Sequence, residues 1–125
     1  MRSTLKRRGD IGEKLAFRYL EAKGYKILAL NWRCFAGELD IVASDGDEMV
    51  FCEVKSLHAD YPDYDPCSRI DRRKIKKLKE LARHYRETHW RTIKLLRLWN
   101  YRFDMIGVCI TSSGSTVHHT EDAFS

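Results

Sequence analysis

The sequence predicts an α/β domain in which an antiparallel meander of strands is flanked by helices. Three observations carry this. Two runs that alternate polar and apolar residues, Glu38–Ala43 and Met49–Lys55, are joined by Ser44-Asp45-Gly46-Asp47, and Asp-Gly between such runs signals a two-residue hairpin. Segments with helical spacing of apolar residues lie on either side, from Asp10 to Lys23 and from Arg69 onward. A further apolar run, Tyr101–Ile110, reads as a strand. The 125 residues suit one domain spanning 1–125, and such a chain buries about two-thirds of its unfolded surface, enough for a core without staples.

The first helix is expected over Asp10–Lys23. Asp10 and Glu13 match a capping box as N-cap and N3, and Gly24 follows as the C′ residue. At about 100° per residue, Lys14, Arg18 and Glu21 share a charged arc, whereas Glu13 falls with Ala16, Phe17 and Leu20 on the arc facing the protein. An inward carboxylate needs a partner. Tyr25–Arg33 reads as a strand, and Cys34-Phe35-Ala36-Gly37 as the turn into the hairpin. Ser56–Ser68 holds both prolines and reads as a loop that shapes access to whatever Lys55 does, with Tyr61 and Tyr64 available to stack on bases. From Arg69, Ile75, Leu78, Leu81, Ala82 and Tyr85 keep helical spacing. His89 and Trp90 close that helix, and Arg91–Asn100 is either a short helix or its continuation. After Tyr101–Ile110 come a turn, Ser112-Ser113-Gly114-Ser115, and a short strand, Thr116–His119, with Phe124 able to dock from the tail. Asp104 is a charge within a strand, expected to pair with a basic residue or to support a site; the histidines read as structural or surface residues.

The hairpin carries the chemistry. With period-two alternation, Glu38, Asp40 and Val42 share a face, as do Phe51, Glu53 and Lys55, and a pivot at Gly46–Asp47 sets Asp40 opposite Glu53. Strand interiors disfavour Asp, Glu and Lys. Two adjacent carboxylates repel unless a cation sits between them, and Mg²⁺ favours a few carboxylate oxygens with retained waters. A lysine beside them can position water or offset developing charge. Asp40, Glu53 and Lys55 therefore suit metal-dependent phosphodiester hydrolysis, with Glu13 brought to the cluster by helix packing. The bland alternative is a solvated hairpin face with a cross-strand ion pair.

Composition narrows the partners. Hydrophobic residues make up 43% and charged residues 33%, which describes a globular chain. No apolar run approaches the ~20 residues of a membrane span, and the basic N-terminus has no apolar segment behind it as a secretory signal would. Cys34, Cys52, Cys67 and Cys109 form no metal-binding pattern and read as reduced thiols of a cytoplasmic protein. The net charge of +5 favours an acidic partner. Between Arg69 and Asn100, twelve Lys/Arg stand against Asp71, Glu80 and Glu87. Arg72, Arg73, Lys74, Lys76 and Lys77 head this nearly single-sign face, which reads as a nucleic-acid footprint.

The motifs together resemble the YraN family of small, uncharacterised bacterial proteins. The matching pieces are GDIGEKLAFRYLEAKGYKILALNWR, the hairpin GELDIVASDGDEMVFCEVK, Lys74 opening the basic helix, Arg102-Phe103-Asp104, and HHTEDAF near the end. The resemblance implies a restriction-endonuclease-like fold with a central mixed sheet, similar to archaeal Holliday-junction resolvases. It implies a nuclease site of Glu13, Asp40, Glu53 and Lys55 using Mg²⁺ or Mn²⁺, with Asp40 and Glu53 as ligands and Glu13 and Glu38 as further candidates. Leu57 stands where the family usually has an arginine, and the loop before Arg69 is rich in Asp and Tyr where the family usually has glycine. The function expected is an endonuclease acting on DNA, branched or damaged. The alternative is a non-catalytic nucleic-acid-binding module, or an adaptor of a DNA-processing complex that keeps the fold. A junction resolvase needs two sites and hence a homodimer, which no residue pattern here specifies.

Overall fold

A computed structural model of the chain describes residues 4–57 and 72–124, with side chains described from Asp10 onward. The elements run α1 (Thr4–Ala22), β1 (Lys26–Cys34), β2 (Gly37–Asp45), β3 (Glu48–Leu57), α2 (Arg72–Thr88), α3 (Trp90–Leu96), β4 (Asn100–Thr111) and β5 (Gly114–Thr120). The strands form one sheet in the order β1-β2-β3-β4-β5. β1, β2 and β3 are the expected meander, β3 and β4 are parallel, and β5 returns antiparallel. The parallel pair requires a crossover, and α2 and α3 lie in the chain between those strands. The sheet is therefore mixed, with helices on its two faces.

Each face has its own core. Ala16 and Leu20 of α1 pack with Ile41, Ala43, Val50, Cys52, Ile106 and Val108. Leu78, Leu81, Ala82 and Tyr85 of α2 pack with Leu39, Val42, Met49, Phe51 and Phe103 on the other. The alternation expected for β3 holds: Met49 and Phe51 face α2 and Val50 and Cys52 face α1. β2 departs from it, because Leu39 and Val42 lie in one core while Ile41 and Ala43 lie in the other. The break falls at Asp40. Across from it, Asn31 of β1 has φ 50°, a left-handed conformation that Asn tolerates better than most residues.

α1 starts at Thr4, so Asp10 lies within the helix and is not its N-cap; the capping-box reading of Asp10 and Glu13 is overturned. Its C-terminus ends as expected. Gly24 has φ 98°, its N–H donates to the Glu21 carbonyl (3.0 Å), and the Tyr25 N–H donates to the Leu20 carbonyl (3.0 Å), a Schellman arrangement. Lys14, Arg18 and Glu21 are exposed, Ala16 and Leu20 fully buried and Glu13 half-buried, so the helical wheel held. α2 ends at Thr88, and Trp90–Leu96 is a separate short helix closed by Arg97 at φ 57°. Phe124 docks on Phe103, with rings stacked at 5.5 Å. Cys52 is buried, while Cys109 is only partly so. β3 runs through Leu57, and the rest of the expected loop, with Tyr61 and Tyr64, lies outside the described residues.

Asp104, fully buried, is held by a polar network at the α1 face. Its carboxylate accepts from Arg102 Nε (3.0 Å), from the Asp122 N–H (3.1 Å) and lies 2.7 Å from His119 Nε2. Arg102 also donates to the Tyr25 hydroxyl (2.6 Å), Asp45 (3.0 Å) and Glu48 (3.1 Å). Burial alone would raise the Asp104 pKa, but hydrogen bonds from His119, Arg102 and the Asp122 N–H hold it below the usual carboxylate range. Asp104 thus pairs with a basic residue, the first of the two roles expected for it, and His119 is structural.

Candidate active site

The site forms where β2 and β3 separate. Their ladder runs from Asp45↔Glu48 to Ile41↔Cys52, so the next facing pair is Asp40 and Glu53, as the hairpin pivot predicts. Beyond that point β3 stays paired with β4 alone. The Val54 N–H, released from the β2 ladder, donates instead to Asp40 Oδ2 (2.8 Å). The bend at Asn31 and the parity break at Asp40 thus turn the Asp40 carboxylate into the gap between the strands.

Asp40 and Glu53 face each other across the opening, and a hydrogen bond between the two carboxyls favours the protonated form of Asp40. Burial, then the neighbouring Glu53 charge, push the Asp40 pKa up to about 8, against the pull of the Val54 N–H and with a further push from Glu13. Glu13 is itself raised, by burial first and then by the charges of Glu38, Asp10 and Glu53, while a hydrogen bond from Asn31 opposes the shift. The three carboxyl groups therefore sense one another. Two half-buried carboxyls that repel each other are also groups that a cation can bridge.

Asn31 was missed by sequence reasoning. With its amide oriented to suit its neighbours, Nδ2 donates to Glu13 Oε2 (3.1 Å) and Glu38 Oε1 (2.8 Å). Glu38 is also held by Arg33 Nε at 3.1 Å. Glu38 therefore faces Asn31 on the Glu13 side. Among the described residues no group of three or more His, Cys, Asp or Glu side chains is gathered closely enough to hold an ion. Asp40 and Glu53 are the facing pair, with Glu13 as a charged neighbour and Glu38 joined to Glu13 through Asn31.

α1 comes close to β3 here because Gly12 has no side chain. A Cβ on Gly12 would overlap Ser56 Oγ and lie 2.9 Å from Ser56 Cβ, so only glycine lets α1 settle and bring Glu13 down to the sheet. Glu13 and Asn31 also line an open cleft of about 390 Å³ with Asp10, Lys14, Phe17 and Leu30.

From the other face comes Lys74. Its Nζ lies 2.9 Å from Glu53 Oε1, which places the first turn of the basic helix at the carboxylates. Lys74, expected among the phosphate-binding residues, reaches Glu53, and spacing along α2 alone could not show what faced it. Lys55 lies two residues beyond Glu53 on the same strand, half-buried, and makes no ion pair with Asp40, Glu53 or Glu13 among the described residues. Arg72, Arg73, Lys76 and Lys77 are exposed. Lys77 is 3.9 Å from Glu80, and Arg83 is 3.3 Å from Glu87, so both acids of α2 have intrahelical partners.

The donor set fits Mg²⁺ or Mn²⁺ as a two-carboxylate site. Such ions take one or two carboxylates and keep several waters, and Asp40 and Glu53 provide that number, half-buried and facing each other.

The profile of the uncharacterised protein family UPF0102 matches residues 12–108, which includes Glu13, Asp40, Glu53, Lys55 and Lys74. A UPF0102 protein of Syntrophus aciditrophicus is 38% identical over 118 residues, covering 94% of this chain and 88% of the relative. One of Clostridium acetobutylicum is 39% identical over 121 residues, covering 95% and 94%. One of Thermotoga petrophila is 51% identical over 73 residues, 58% of this chain and 65% of the relative.

Proposed function

The chain belongs to the uncharacterised protein family UPF0102, and from that premise and the site geometry we propose that it is a divalent-metal-dependent endonuclease acting on DNA, branched or damaged, in a restriction-endonuclease-like fold. The observation that carries this is the half-buried Asp40–Glu53 carboxyl pair at the point where the strands part, with Lys74 on one side and Glu13 near the other. The mixed sheet with helices on both faces is a frame compatible with that fold; the fold alone would not imply the activity.

Mg²⁺ or Mn²⁺ held by Asp40 and Glu53 would supply Lewis-acid stabilisation of charge on a phosphate and ease deprotonation of water. Asp40 must release its proton for this. The Val54 N–H fixes Asp40 Oδ2 and so orients the carboxylate that would hold the ion. Lys74 neutralises Glu53 in the metal-free protein and is the group an arriving cation must displace or share. Lys55, free of ion pairs with these acids, is available to hold water or offset charge on the scissile phosphate. Arg72, Arg73, Lys76 and Lys77 would hold flanking phosphates.

Titration calorimetry with Mn²⁺ at pH 8 tests the site. Heat is expected from the parent and none from Glu53→Ala; undiminished binding by Glu53→Ala would remove Glu53 from the site.

One observation favours a second reading. The Glu53–Lys74 pair already satisfies that carboxylate without a cation, as suits a nucleic-acid-binding module with no cleavage. That module would bind DNA in a salt-dependent way with or without Asp40→Asn, and would cut nothing with either metal.

A further inference from the structure

Four large apolar side chains stand in solvent within ten residues: Trp90 (54% exposed), Leu95 (81%), Leu96 (45%) and Trp99 (63%). Tyr101 follows at 43%. α3 is anchored by Ile93 and Leu98, which are buried in the α2 core, so the outward set is not a failed core. A cluster of exposed apolar residues marks an interaction surface, and its charge identifies the partner. Residues 88–101 contain Arg91, Lys94 and Arg97 and no acid. The cations are interleaved with the rings: Arg86 Cζ lies 4.0 Å from the Tyr101 ring centre and Arg91 Cζ 5.4 Å from that of Trp90.

The patch is joined to the carboxylates by α2. Lys74, in the first turn, pairs with Glu53; Arg86, near the last, lies on Tyr101. The twelve helical steps from one to the other span about 18 Å at 1.5 Å per residue. That is roughly five phosphates at the B-form rise of ~3.4 Å, and fewer in a stretched strand. Lys76 and Arg83 are exposed along this length, and Arg72 and Arg73 just before it.

We propose that Trp90, Trp99 and Tyr101, with Arg86 and Arg91, form a stacking platform for the unpaired bases of a single-stranded nucleic acid, whose backbone runs along α2 to the Asp40–Glu53 site. A base has a π-face for an indole and a phosphate for each arginine, a pairing used by sequence-tolerant single-strand binders. A duplex keeps its bases stacked inside and offers the rings little. The inference rests on the nucleic-acid part of the proposed function and adds its substrate class: a strand with an unpaired segment.

The test is binding in EDTA, where no cleavage occurs, so it stands or falls separately from nuclease activity. Fluorescein-labelled dT and rU oligomers and a blunt duplex are titrated by anisotropy over a series of salt concentrations. The parent should prefer single strands. Trp99→Ala and Trp90→Ala should each weaken single-strand binding about 5- to 150-fold, the effect of losing one stacked base, with the salt slope unchanged. Trp99→Phe should recover most of it. Arg91→Gln should lower the salt slope by about one contact. The dT and rU arms decide between DNA and RNA. Unchanged single-strand affinity in the Trp90→Ala/Trp99→Ala double variant would overturn the proposal, as would equal losses for duplex and single strand. A change of sedimentation coefficient with oligomer binding intact would assign the patch to self-association instead.

Discussion

Replacing Arg102 with leucine is expected to cost about 3–5 kcal/mol of stability at pH 7, the range for removing one partner of a buried ion pair. The arginine side chain is only 10% exposed, and it ties β4 to β2, β3 and Tyr25 through Asp104, Asp45, Glu48 and the tyrosine hydroxyl. Leucine replaces the aliphatic stem but leaves the fully buried Asp104 with His119 and one backbone N–H. The pH dependence follows from the sign of the shift. The Asp104 pKa is lowered in the folded parent, so its stabilisation is complete above the ordinary value of 3.8 and is lost as pH falls through the folded value. Without Arg102, Asp104 can shed its charge by taking up a proton at higher pH. The gap between parent and variant should therefore be widest near neutrality and narrow on acidification. Urea denaturation at pH 7 and pH 4 reads both; a gap that is constant with pH would mean the arginine acts through packing alone.

Asp40→Asn is expected to do the opposite in metal-free buffer. The folded Asp40 pKa is raised from 3.8 to about 8. Between those values the native state holds a proton that the unfolded chain does not, so the parent loses stability as pH rises through this window, by at most about 1.4 kcal/mol per pH unit. Asparagine does not titrate. Its oxygen can still accept from the Val54 N–H, and its NH₂ can donate to Glu53 where the protonated carboxyl did. In EDTA the variant should gain on the parent steadily from pH 5 to pH 8, while losing any rise in melting temperature on adding Mn²⁺. Superimposable pH profiles for the two proteins would show that Asp40 ionises normally.

What could be read from the chain beforehand was what local periodicity governs. The Gly46–Asp47 turn set the hairpin register, and with it the meeting of Asp40 and Glu53. The 3.6-residue period turned Glu13 inward and placed Leu78, Ala82 and Tyr85 in the core. The failures share one cause, since each depends on a partner distant in sequence. Asn31 takes a left-handed conformation within β1 and the alternation of β2 breaks opposite it, which no period-two rule foresees. Lys74 looked like its neighbours until Glu53, 21 positions earlier, was set against it. The Asp10–Glu13 capping pattern is a valid start signal, but α1 runs through it. His119 and Asp104 meet because β4 and β5 pair antiparallel, which no spacing rule for histidines would show.

Whether Asp40, Glu53 and Lys55 form a nuclease site is decided by cleavage of labelled four-way junction, flap, duplex and single-stranded DNA with Mg²⁺ and with Mn²⁺, parent against Lys55→Ala. The proposed site should give metal-dependent cutting by the parent, fastest on substrates with an unpaired segment, and a loss of at least about 100-fold in Lys55→Ala, as for other groups that stabilise developing charge. Binding without cleavage of any substrate, or cleavage undiminished in Lys55→Ala, would contradict it.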